Sequence, residues 1–201
     1  MFIDARTIPD NEVLEMDICI IGAGAAGITL ALEFMGHPFR VGLLESGDLQ
    51  YEQKTQSLYA GKNIGLPYFP LEAARLRYFG GTTNHWGGTV RPFDEVDFEP
   101  RDWIPYSGWP IRKSDVQPYY ERAQSICQVA SLEWDVAYWQ KQDKFPLLPL
   151  KGDRVLTRLA QLVPGLRRNF GQLYREDIKQ ANNVTTYLNA NVTEIETDGT
   201  A

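Results

Sequence analysis

The residues best suited to chemistry fall in two glycine-rich stretches and one acid between them. Gly22-Ala23-Gly24-Ala25-Ala26-Gly27 fits G-x-G-x-x-G, with Ala25 and Ala26 filling the two x positions before the last glycine. In such a turn the first glycine permits the sharp bend and the second lets a pyrophosphate approach the backbone. The third lets the next helix pack close to the preceding strand. Glu45 lies 18 residues after Gly27, near the roughly twenty expected of the carboxylate that holds a ribose hydroxyl. Its charge argues against a 2′-phosphate there, since two anions would repel. The second stretch is Gly80-Gly81-Thr82-Thr83-Asn84-His85-Trp86-Gly87-Gly88. Paired glycines let backbone come close to a flat or anionic ligand, and the residues between them offer hydroxyl, amide and imidazole groups. On spacing alone it reads equally as a structural loop in which Trp86 plugs the core and His85 is simply hydrogen-bonded. His37, between Gly36 and Pro38 at a helix end, is expected to be exposed and inert.

These groups need elements to hold them. Ile18–Ile21 is a short, mostly β-branched apolar run, as expected of a parallel strand buried on both faces. The helix from about Gly24 to Met35 is apolar nearly all round and is expected to be buried. Gly36 and Pro38 stop it, and Val41–Leu44 makes the next strand. Strand, glycine turn, helix, strand and a correctly spaced acid together predict a dinucleotide-binding unit, where the motif alone would say little.

Elsewhere, residues 1–15 read as a polar lead-in and Asp48–Pro70 as loop. Leu71–Arg77 reads as a short helix carrying Arg75 and Arg77. Ser114 is expected to open a helix with Gln117 as its capping partner, turning Tyr119, Tyr120, Ala123, Ile126 and Val129 inward. A Pro-rich connection, Phe145–Pro149, leads to a helical pattern over Val155–Leu162 and a short helix over Leu173–Lys179. Val184–Leu188 and Val192–Ile195 alternate like strands. The alternation predicts an α/β fold with a parallel sheet and flanking helices. Residues 16–201 form its binding domain, 89–180 a mostly helical and loop insertion, and 184–197 strands that return to it. A strand and turn at Thr197–Ala201 have nothing to return to, and parallel sheets need their edges covered. The chain is therefore expected to be incomplete at its C-terminus.

Of 201 residues, 43% are hydrophobic, enough for a core in one domain or slightly more. The net charge of −6 comes without any basic run, which excludes a nucleic-acid footprint. No stretch approaches a membrane-spanning length. Cys19 and Cys127 lack C-x-x-C spacing, and the N-terminus carries neither a Sec nor a twin-arginine signal. The expected compartment is the reducing cytoplasm. No metal site is read.

Taken in order, Asp17–Gly27, Leu43–Gly47, Gly80–Gly88, Trp109-Pro110-Ile111 and Pro118-Tyr119-Tyr120 resemble the glucose–methanol–choline family of FAD-dependent oxidoreductases. The likeness is strongest to its sugar-oxidising branch, which includes pyranose oxidase and the bacterial fructose and gluconate dehydrogenases. It runs from about residue 16 to 197 and is least distinctive over 131–180. The resemblance implies a Rossmann-like FAD/NAD(P)-binding domain in which Gly22, Gly24, Ala25, Ala26 and Gly27 hold the pyrophosphate of FAD. Glu45 would hold the adenosine ribose. Gly81, Thr82, Asn84, His85 and Trp86 would lie against the isoalloxazine, and Val192 would meet the adenine through its backbone. His85 occupies the position that in this branch can carry a covalent bond to the flavin. Gly87 departs from pyranose oxidase, which has a Thr there.

The family oxidises an alcohol or sugar: a base takes the hydroxyl proton while hydride passes to flavin. That base is a C-terminal histidine, and this chain offers no candidate, so no catalytic residue is assigned and the chain is expected to bind FAD without turnover. The electron acceptor (oxygen, a quinone or a cytochrome) stays open. Two other readings remain. An NAD-dependent Rossmann dehydrogenase leaves Gly80–Gly88 unexplained and lacks a second strand–helix half in the right place. A non-catalytic dinucleotide-binding remnant would keep the fold without chemistry.

Overall fold

The computed structural model describes residues 1–129, 133–143, 146–150, 155–197 and 199. Its elements in chain order are β1 (Phe2–Asp4), β2 (Ile18–Ile21), α1 (Ala25–Glu33), β3 (Val41–Leu44), α2 (Gln53–Gln56) and α3 (Leu71–Ala74), then β4 (Thr89–Val90), α4 (Glu95–Phe98), α5 (Lys113–Cys127) and α6 (Val136–Asp143), and finally β5 (Gln161–Leu162), α7 (Phe170–Leu173), α8 (Arg175–Gln180) and β6 (Val184–Leu188). They divide into two compact units, 1–86 with 166–201, and 87–165.

The first unit is built on a four-stranded, wholly parallel sheet in the order β1-β6-β3-β2. This is the α/β arrangement expected from the alternating pattern. Ile20, Leu43 and Thr186 stand in register across β2, β3 and β6 and are all buried. Ile28 and Ala31 of α1 and Ile178 of α8 are buried with them, and both helices pack on these strands. A parallel sheet needs crossover helices, and their apolar stripes close the core on this face.

Several expectations need correction here. The stretch read as a polar lead-in begins with a strand, because Phe2–Asp4 pairs parallel with Thr186–Leu188. Strand β2 is not buried on both faces: Ile20 is covered, but Cys19 and Ile21 are exposed, because β2 stands at an edge of the sheet. Helix α1 ends at Glu33, and one face alone is buried, Gly27, Ile28 and Ala31, while Ala25, Ala26 and Leu30 are exposed. An apolar helix that meets a sheet on one side covers only that side. Residues 192–195 form no strand.

In the second unit β4 and β5 pair antiparallel. Helix α5 starts at Lys113 with Arg112 rather than Ser114 as its cap, two residues earlier than expected, and Asp115 rather than Gln117 accepts from the backbone N–H of Arg112, at 2.8 Å. A carboxylate at that position also favours the positive end of the helix. Tyr119 and Ala123 are exposed instead of turned inward, with the Arg122 guanidinium over the Tyr119 ring. Of the expected helix over Val155–Leu162, residues 156–160 carry no regular structure and Gln161–Leu162 are strand β5. The apolar spacing there is that of a short edge pairing. Phe145, and Asp198 and Thr200 of the terminal turn, lie outside the described residues. Among the described residues no helix is long and apolar enough to cross a membrane.

Candidate functional site

Strand β2 ends at Ile21, and the chain turns at once on Gly22, whose φ of +94° only glycine adopts freely. Its N–H donates to Leu44 O at 2.7 Å. Helix α1 then runs back over the turn so closely that a Cβ on Gly27 would sit 1.8 Å from Gly22 O. The third glycine therefore works as the motif requires. Gly24 is the N-cap of α1 and supplies no side chain, so the first amides of the helix keep their unpaired donors and partial positive charge. A Cβ on Gly24 would meet nothing within 4 Å. The space above the turn is open.

Glu45 follows β3 and is buried, at 5% exposure. Its Oε2 accepts from the Ala23 N–H at 3.0 Å, and its Oε1 accepts from the Gly47 N–H at 2.9 Å and from the Ser46 hydroxyl at 3.3 Å. The carboxylate thus ties the glycine turn to the end of β3. A carboxylate offers about four lone-pair sites, so one remains on Oε2 for a further donor.

The second glycine segment packs straight onto the first. Gly80 N–H donates to Ala23 O at 2.8 Å, and a Cβ on Gly81 would come 2.9 Å from Gly24 Cα. Together these pieces surround one cleft of about 370 Å³, within the range of small-ligand sites. Of the residues singled out from the sequence, Gly22, Gly24, Glu45, Gly81, Thr82 and Val192 line it.

The other six do not. Gly27 lies under the turn, and Ala25 and Ala26 are exposed on the first turn of α1. Asn84 donates to Phe79 O at 3.0 Å and lines a separate polar cavity with Tyr78 and Arg175, where burial pushes the Tyr78 phenol up from its ordinary value. Trp86 donates its indole N–H to Arg168 O at 2.6 Å and packs edge-on against Phe170, half-buried. His85 caps the one-turn 3-10 helix Gly81–Asn84 and is exposed.

Sequence reasoning missed Ser46, Tyr59 and Arg77, which also line the cleft. In the sequence Arg77 reads only as the end of a short helix over Leu71–Arg77, but α3 stops at Ala74 and Arg75 is extended, so Arg77 lies beyond the helix. Among the described residues, Glu45 and Arg77 are the charged groups lining the cleft. The Arg77 backbone is fixed by Gln56, a buried amide whose Oε1 accepts from Arg77 N–H at 2.9 Å while its Nε2 donates to Glu72 O and Arg75 O.

No protein-family model matches the chain. It is similar to the 2-methyl-1,2-propanediol dehydrogenase of Mycolicibacterium austroafricanum, with 24% identity over 175 residues. The match covers 76% of this chain and 31% of that protein, so the chain spans about a third of its relative's length.

Proposed function

We propose that the chain is the FAD-binding portion of an oxidoreductase of the glucose–methanol–choline type, acting on the CH–OH group of an alcohol or sugar. The observation that carries this is the single cleft shared by the glycine turn, Glu45, the Gly81–Thr82 backbone and Val192. Its open space over Gly24 and the uncapped start of α1 suit a diphosphate. In this reading the first turn of α1 binds that diphosphate, the free lone pair of Glu45 accepts from a ribose hydroxyl, and Val192 borders the adenine. The Gly81–Thr82 backbone leads towards the flavin ring, and the exposed imidazole of His85 is the proposed point of covalent attachment. Bound flavin would supply the hydride acceptor. The base that takes the substrate proton is assigned to parts of the enzyme beyond these residues. Similarity to a dehydrogenase named for a diol supports alcohol oxidation as the reaction class.

A visible absorption spectrum of the purified protein, repeated on pellet and supernatant after acid precipitation, tests the reading. Flavin absorbance supports it, and absorbance that stays with the pellet and disappears in His85→Ala supports the covalent bond. Absorbance released to the supernatant removes the bond and keeps the cofactor. A colourless protein that takes up NAD but no added FAD would overturn the assignment.

A further inference from the structure

Arg77 is held on three sides and still has donors to spare. Its guanidinium carbon lies 4.7 Å from the centroid of the Tyr59 ring, which Arg75 also approaches at 4.9 Å. Its Nη2 donates to Asn191 Oδ1, and Gln56 fixes its backbone. Gly47 admits that backbone, since a Cβ there would fall 2.0 Å from Arg77 O. Nε is buried without a partner, and among the described residues no carboxylate forms an ion pair with Arg77. An arginine carries five N–H donors in a rigid fork, and among the described residues Asn191 is the acceptor that its side chain meets. The group nevertheless borders the same cleft as Gly24 and Glu45. The side chain is half-exposed, with the buried Nε its unpaired donor and the Tyr59 ring beside the guanidinium. A buried polar group without a partner is unfavourable, so an incoming acceptor would be stabilising there.

We propose that Arg77 is the cation that receives the phosphates of the bound dinucleotide, acting opposite the uncapped start of α1. This rests on the dinucleotide reading of the cleft and adds a side chain to it. Arginine suits the role because its fork matches phosphate geometry and its charge persists at every working pH. Tyr59 and Gln56 are positioning residues: the ring supports the guanidinium plane, and the amide sets where the side chain starts.

The test is calorimetric titration of the full chain with adenosine, AMP and ADP at low and moderate salt, in the native protein, Arg77→Gln and Arg77→Lys. The expected result is that ADP binds more tightly than adenosine in the native chain. Arg77→Gln should weaken ADP by roughly tenfold or more while adenosine changes by less than about threefold, as for loss of a charged hydrogen bond. Arg77→Lys should recover part of the ADP affinity, and the salt dependence of ADP binding should fall in Arg77→Gln alone. Equal weakening of adenosine and ADP would overturn the proposal, since Arg77 would then merely brace the Asn191 segment. Unchanged ADP affinity in Arg77→Gln would overturn it while leaving the dinucleotide reading intact. A native chain free of flavin absorbance that folds, by circular dichroism, yet binds none of the three would remove both.

Discussion

Gly24 and Gly27 belong to one motif but do opposite work, and their substitutions should separate accordingly. A Cβ at Gly27 meets backbone at 1.8 Å, with no flexible side chain to yield. Gly27→Ala should therefore force α1 off the turn and lower stability by about 1–3 kcal/mol or more, read from denaturant unfolding. Gly24 has φ −84° and open space where a methyl would go. Gly24→Ala should keep stability to within about 0.5 kcal/mol and lose nucleotide affinity, because the methyl occupies the place proposed for the diphosphate. A Gly24→Ala protein that binds ADP like the native chain would show the cleft is not the site. Glu45 makes a third case. Its oxygens serve the backbone N–H groups of Ala23 and Gly47 before any ligand arrives. Glu45→Gln sets an amide NH2 against one of those buried donors, so the unliganded protein should lose about 1–3 kcal/mol. Unchanged thermal unfolding in that variant would deny Glu45 its structural half.

Strand β1 shows how an element of three residues is held. Phe2 packs edge-on to the buried Phe79 ring at 5.2 Å, and the Met1 ammonium donates to Val184 O at 2.9 Å. The strand's last residue, Asp4, accepts from Arg6 through backbone and side chain and from Asn189 Nδ2 just past β6. The Arg6 guanidinium is the main cause that lowers the Asp4 carboxyl from 3.8 to about 2. Because its folded value lies below the ordinary one, this contact supports the fold fully above about pH 4 and is lost as pH falls towards 2. Asp4→Asn should thus flatten the decline in unfolding midpoint over that interval. If native and variant midpoints fall in parallel there, the Asp4–Arg6 clip does not hold β1.

The larger division is that residues 1–86 and 166–201 form one compact unit although 79 residues lie between them in the chain. Trp86 donates across that gap to Arg168 O, and Thr83 Oγ1 accepts from Phe170 N–H at 3.2 Å, so the two ends of the first unit meet without help from 87–165. Joining Trp86 to Leu166 through a short Gly/Ser linker should leave the parallel sheet and the proposed nucleotide binding in place, as seen by far-ultraviolet circular dichroism and ADP titration. Retained helix signal with lost ADP binding would assign part of the cleft's integrity to residues 87–165.

How much of this was legible in the residues depends on how local each feature is. The β2–turn–α1–β3 unit could be read because its signals (apolar run, glycine spacing, helix stop, following acid) fall within thirty residues and depend on neighbours in sequence. The two glycine stretches could be recognised as chemically apt for the same reason. Strand β1 could not, since Phe2-Ile3-Asp4 is too short to show a period and pairs only because β6 offers an edge 184 residues later. The exposure of Ile21 and Leu30 depends on which faces of β2 and α1 other segments cover, a property of the tertiary packing. In the chain Arg77 reads only as the last residue of an expected short helix. Its place in the cleft follows from Gln56, Tyr59 and Asn191, groups as much as 114 residues away. Local conformational preference is written in short runs of residues; long-range pairing and burial are settled only when distant segments compete for the same edge, face or donor.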